Sequence, residues 1–390
     1  MSDAPPAPPA PDVPAAPGRP TAPPGPAPVD PGVELLSDAP VARVADDLLG
    51  RLPVAVRLCE LACALPLAAP RVVGLVGGAG AGKSSLLNLA AALLVERGDV
   101  AMVTLDGAGH AGATELVEAL LQSLQEFFAT QNVVDTTDAV RDRLARYGGF
   151  VSGVARIAGV KVDLGGALAR SAAQVREEIA EMSQEIGKRI VLLVDHVDRL
   201  HGRELVATLV ALRHLAAIPY VTIVLAYDRR AAALAPDDEV DPRAFERLVQ
   251  VELAVPPPDR VLLARVLAGG VARLASRLDR DLDPVLPLCD PDCDDGAPLL
   301  DLCETPRDAK RAINALSAAA PLWPADVDLR GAALEVALRT LVPELDSPRL
   351  DALHRVHATA RAVLLAELDA SVAGHRLAGA ARAALRALCP

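Results

Sequence analysis

"RVVGLVGGAGAGKSSLLNLAAALLVERG", residues 71–98, carries the first structural signal in the chain. An apolar run ends near Val76, a glycine-rich turn follows, and helix is expected from about Lys83. Gly77, four further residues, Gly82, Lys83 and Ser84 satisfy the G-x4-G-K-[ST] phosphate-loop pattern in the strand-turn-helix setting that gives the pattern its meaning. Glycine and alanine at Gly77, Gly78, Ala79, Gly80, Ala81 and Gly82 let backbone N–H groups turn inward around phosphates, and the helix N-terminus adds positive potential. Lys83 supplies a point charge for the β and γ phosphates. Ser84, with Ser85 beside it, offers a hydroxyl to magnesium. Lysine is scarce, four residues against 35 arginines, yet one stands here. The competing reading, a flexible Gly/Ala loop in an alanine-rich chain, requires strand and helix to flank it by accident.

Further strand patterns follow at 100–105, 189–195, 220–228 and 248–255, with helical patterns between them at 113–129, 166–187 and 203–217. This alternation predicts an α/β fold, a parallel sheet of about five strands flanked by helices, with a helical lid and tail toward the C-terminus. One strand pattern lies between the phosphate-loop strand and the 189–195 strand. That order resembles the ATPase branch of the phosphate-loop superfamily, where an extra strand separates the two, and makes a small-molecule kinase the lesser alternative.

Composition bounds the rest. With 52% hydrophobic residues in 390, the chain is long enough for a substantial core. Thirteen of its 33 prolines fall in "PPAPPAPDVPAAPGRPTAPPGPAPVDP", so residues 1–32 are expected to stay extended and outside the fold, and they lack the pattern of a secretory signal. No stretch free of Asp, Glu, Lys and Arg exceeds 14 residues, short of the roughly 18–20 that a spanning helix needs. The six cysteines are scattered, which points to a reducing cytoplasm rather than a disulfide framework. A formal net charge of −12 disfavours nucleic acid as a partner. Cys289, Cys293 and Cys303 lie among aspartates, but their spacing lacks a fourth ligand for zinc.

"VLLVDHVDRL", residues 191–200, reads as a buried strand ending at Asp195. A carboxylate there faces the crevice where ligands of open α/β sheets bind, and its role is to hold magnesium together with Ser84. His196 follows in place of a second acid. Asp198 either faces the same crevice, where it would position the attacking water, or caps the helix expected from Leu200. Asp106 and His110 follow the 100–105 strand; they touch the γ-phosphate region or only shape a turn. Arg307 and Arg311, at i and i+4 after Pro306, reach a phosphate or pair with Asp301, Glu304 or Asp308. His375 reads as an exposed face residue, as do His354 and His357.

These motifs together resemble the KAP family of P-loop NTPases. "LLSDAPVARVADDLLGR" (35–51) looks like the family's leading motif, which the resemblance places near adenine. "VDHVDRL" (194–200) is similar to its magnesium strand, and "VLAYDRR" (224–230) to the strand after it. "FERLVQVELAVPPPDR" (245–260) resembles its proline-led exit from the sheet, and "TPRDAKRAINAL" (305–316) its Pro-Arg-Asp-x-Lys-Arg helix. The likeness covers about residues 35–345. It implies an NTPase core at 33–255 with an insert at about 130–187, a helical lid at 256–345, C-terminal helices at 346–390, and ATP and Mg2+ as ligands. It also implies Arg307 as a γ-phosphate sensor, and protein partners that no residue identifies; a homo-oligomer is left open. Many relatives carry membrane spans in this insert, whereas "YGGFVSGVARIAGVKVDLGGALA" (147–169) reads as a loop or hairpin packed on the domain, with a flap that makes peripheral membrane contact or binds a partner as the alternative.

Overall fold

The computed structural model describes residues 35–107, 187–229, 244–345 and 358–388, apart from positions 67, 201 and 295, together with isolated positions between 108 and 186. The proline-rich N-terminus, the 130–187 insert with its 147–169 stretch, the helical patterns at 113–129 and 166–187, His110, His354 and His357 lie outside the described residues, isolated positions apart.

Five parallel strands form one sheet: β1 (Arg71–Val76), β2 (Val100–Asp106), β3 (Arg189–Asp195), β4 (Val221–Tyr227) and β5 (Val251–Ala254). Their spatial order is β2-β3-β4-β1-β5. The expected separation of the phosphate-loop strand from the Asp195 strand is therefore present, and β4 provides it, because β2 pairs on the far side of β3. β3 and β4 are buried along their whole length, as central parallel strands covered on both faces must be.

The pleat divides each central strand between two cores. Ile190, Leu192, Val194, Ile223, Leu225 and Tyr227 face one side, where helix α3 (Gly202–Leu215) contributes Leu205, Leu209 and Leu212. Val191, Leu193, Val224 and Ala226 face the other, against α1 (Leu52–Ala62) and α2 (Lys83–Val95). At the base of the sheet the fully buried Arg189 donates to Thr222 Oγ1 at 2.5 Å and to the Pro66 carbonyl at 2.9 Å, tying the α1–β1 connection to β3 and β4.

After the short α4 (Ala244–Leu248) and β5, the chain turns helical. α5 (Arg260–Leu278), α6 (Pro298–Asp301), α7 (Pro306–Ala319), α8 (Leu329–Leu341), α9 (Ala358–Ser371) and α10 (Ala378–Leu388) share a separate hydrophobic core. Cys289 and Cys303 belong to it. Burial pushes their thiols up, Cys289 to about 12, which favours the neutral thiol over the thiolate that zinc needs. His375 is not an exposed face residue: its side chain is 13% exposed, with Nε2 3.5 Å from Glu344. Among the described residues no helix is long and apolar enough to cross a membrane.

Candidate functional site

The loop between β1 and α2 curls at the C-terminal edge of the sheet. Gly80 and Gly82 take left-handed φ values of 76° and 97°, which glycine adopts freely. Gly80 is fixed for a second reason: a Cβ there would stand 2.9 Å from Arg307 Cβ and 3.0 Å from Thr305 Oγ1. The tip of the loop is thus pressed against the start of α7.

Lys83 opens α2 with its ammonium folded back over the loop, donating to the carbonyls of Gly77 at 2.8 Å and Gly78 at 3.2 Å. Asp198 Oδ2 lies 3.5 Å from the same nitrogen, and both side chains are nearly buried. Asp198 sits inside a 3₁₀ turn, Val197–Arg199, and α3 begins only at Gly202, so the residue faces the loop lysine rather than a helix terminus.

Asp195 ends β3 and accepts from the backbone N–H of His196 at 2.8 Å. His196 has a left-handed backbone (φ 57°), and its imidazole reaches three groups. Nδ1 is 3.0 Å from Asp106 Oδ1, and Nε2 is 3.4 Å from Ser84 Oγ and 3.6 Å from Asp195 Oδ2. Asp106 stands beside Asp195 because β2 and β3 pair in register at those residues. A hydroxyl and a carboxylate, both hard oxygen donors, therefore converge on one point, the donor chemistry that magnesium takes.

Of these groups Lys83, Ser84, His196 and Asp198 border a cleft of about 300 Å³, within the range of small-molecule sites, whereas Asp195 and Asp106 stand behind His196 and do not line it. Gly78, Ala79, Gly80, Gly82, Lys83, Ser84, Ser85, Asp198 and Arg307 line it, while Gly77 lies just beneath, its carbonyl on Lys83. Four cationic side chains (Lys83, Arg199, Arg307, Lys310) stand against three acidic ones (Asp38, Asp198, Asp228) in its lining.

Arg307 and Arg311 do not act together. Arg307 lines the cleft and pairs with Asp38 at 2.9 Å, a partner outside its own helix, whereas Arg311 donates to the Thr340 carbonyl at 2.6 Å on α8. Arg229 is engaged by Glu252. Residues 36–41, the start of the 35–51 motif, make contacts that the sequence did not show. The Leu36 backbone exchanges two hydrogen bonds with Asn314 (2.7 and 2.9 Å), and Lys310 donates to the Ser37 carbonyl. The Val41 N–H and carbonyl bond to Ser85 and Asn88 of α2. The segment straps α7 to α2 across the cleft, and Ala81, Gly82 and Ser85 border a second, smaller cavity behind it.

Residues 51–323 match the KAP family P-loop domain. The phage T7 exclusion protein of Escherichia coli (strain K12) is 27% identical over 258 residues, 57% of this chain and 35% of that protein, so the alignment spans about a third of the relative's length. Among solved structures, the Aeropyrum pernix ORC2 protein (ADPNP-ADP complexes) aligns at 13% identity and a TM-score of 0.36, covering 87% of this chain and 94% of that one. C. elegans PCH-2 aligns at 15% and 0.35, covering 80% and 77%. Neither structural likeness bears on function at such scores.

Proposed function

Because the chain belongs to the KAP family of P-loop NTPases, we propose that it binds ATP together with magnesium and hydrolyses it slowly, as a nucleotide-dependent switch. The observation that carries this reading is Lys83, nearly buried at the floor of the cleft and held by two loop carbonyls, with Asp198 facing it. Phosphate oxygens entering the loop would take over these Lys83 donors, so that the ammonium faces an anion in place of neutral carbonyls. Ser84 and Asp195 would hold magnesium, which when bound neutralises charge on the β and γ phosphates. Asp198 accepts a hydrogen bond from the attacking water and aligns it with the γ-phosphorus; as the water oxygen bonds to phosphorus the bond to the β–γ bridging oxygen breaks, the proton that the water loses passes to a phosphate oxygen, and ADP and inorganic phosphate leave.

Arg307 gives the switch its output. Its pairing with Asp38 is half exposed and weak, and a γ-phosphate competes for the same guanidinium. Exchange of Asp38 for phosphate loosens residues 36–41 from α7, so the helical region at 256–345 and the helices at 346–390 respond to nucleotide state.

A second reading has one observation in its favour. The His196 ring stands against both Ser84 Oγ and Asp195 Oδ2, where it hinders turnover, which suits a nucleotide-stabilised scaffold whose proline-rich N-terminus recruits partners. Single-turnover kinetics separates the two. First-order loss of ATP that disappears in Lys83→Ala is expected; tight ATP binding with no turnover leaves only the scaffold.

A further inference from the structure

Helix α5 runs against the charge of the chain. The whole sequence carries 51 acidic residues against 39 basic ones, yet the 19 residues of α5 hold four arginines and no Asp or Glu. Leu263, Leu267 and Leu274 face the helical core, and Arg260 pairs with Asp301. On the outer face Arg265 and Arg273 are exposed, and among the described residues neither has an ion-pair partner.

Gly269 stands between them, one turn from each. Packing does not require a glycine there: a Cβ would meet only Arg273 Nη1, at 3.8 Å, whereas at Gly270 it would stand 2.5 Å from Ile313. A glycine inside a helix weakens it relative to alanine, and what it offers in return is close approach to the backbone. The face is therefore a bare patch between two uncompensated cations.

The complement lies on the same chain. Asp279 forms the C-terminal cap of α5, and the 3₁₀ run Asp283–Cys289 packs back on the helix. Asp279, Asp281, Asp283, Asp290, Asp292 and Asp294 are exposed, and among the described residues none forms an ion pair. Nucleic acid or an anionic lipid surface would meet the arginines and be repelled by the aspartates beside them. A second copy carries both signs.

We infer that the outer face of α5 docks a second copy of this chain, whose acidic segment 279–294 lies across Gly269 between Arg265 and Arg273. Two copies related by a two-fold axis make each such contact twice. An interface of one helix and one segment is small and charged, so the dimer is weak and sensitive to salt.

Sedimentation of the full chain over a concentration series, without nucleotide, at about 20 mM and about 500 mM salt tests this. The mean mass should rise toward two chains at the lower salt and stay at one chain at the higher. Arg265→Glu with Arg273→Glu should weaken association by about a hundredfold or more, the scale of like charges juxtaposed at an interface. Asp283→Arg with Asp292→Arg should do the same. An equal mixture of the two double variants should associate again, because one is then acidic and the other basic at both halves of the interface. Gly269→Gln should raise the melting temperature, glutamine being the better helix former, while it weakens association, which keeps the inference open to test even where a charge reversal fails to fold. A parent that stays a single chain at both salts, association untouched by either charge reversal or by Gly269→Gln, or double variants that do not recombine would overturn it.

Discussion

His196 holds the ground between the two oxygens best suited to a metal. Its left-handed backbone aims the ring back over the site, and Asp106 fixes the far nitrogen at 3.0 Å. Aspartate tolerates the same backbone region, so His196→Asp adds little strain while restoring an acid next to Asp195. Positioned acid–base groups contribute about 10² to 10⁴ in rate, and part of that range, about tenfold or more, is the expected gain in single-turnover rate at unchanged ATP affinity. A variant that binds ATP normally and hydrolyses it no faster removes His196 as the brake. At this scale the sequence singled out Lys83 and Ser84, because they sit at fixed offsets in the phosphate-loop pattern, and Asp195, because it ends an apolar strand. It left Asp106 ambiguous, because only the β2–β3 register brings that carboxylate to His196 from 90 positions away. The burial of Arg51, whose Nη1 and Nη2 both lack a hydrogen-bond partner, was equally hidden: burial and missing acceptors are properties of packing.

Helix α7 is positioned by one carboxylate. Thr305 and Asp308 form a reciprocal capping box at its start, with Thr305 N and Oγ1 donating to Asp308 Oδ2 at 3.0 and 2.8 Å. Asp308 is 2% exposed, and its other oxygen accepts from Arg376 Nη2 at 2.7 Å. The same side chain therefore sets the helix terminus beside Arg307 and ties down the approach to α10. Thr305→Val should cost about 1 kcal/mol, the usual worth of an N-cap. Asp308→Ala should cost more, roughly 2–3 kcal/mol, because it strips the acid from both the cap and the ion pair, while the half-exposed Arg376 keeps Glu304. Urea denaturation of the two variants checks this, and equal losses would mean that Arg376 contributes nothing. Strand and helix periodicities were legible in the sequence from local pattern, as the match of β1, β3 and α3 to their expected spans shows. The Arg376–Asp308 pair joins residues 68 apart, and no periodicity reports such a partner.

The described residues divide into a sheet with two flanking cores and a helical body with its own, and the nucleotide site lies where they meet. Residues 36–41 bridge that boundary: Asn314, Lys310 and Arg307 grip one end on α7, and Ser85 and Asn88 grip the other on α2. The "SDAP" of this segment was visible as part of a motif near the base, but its mechanical position depends on two bodies that the sequence lists far apart. Two truncations separate the strap from the proline-rich stretch before it. Removal of residues 1–32 should leave ATP affinity within about twofold, because the strap and its hydrogen bonds remain; neutral hydrogen bonds are each worth about 0.5–1.5 kcal/mol. Removal through residue 41 deletes the Leu36–Asn314 pair, the Val41 bonds and the Asp38 counter-ion together. The melting temperature should fall, and nucleotide should no longer change the protease sensitivity of the helical body relative to the sheet. Retained nucleotide-dependent protection in the longer truncation would show that α7 reads the γ-phosphate without the strap, and would confine residues 36–41 to a structural part.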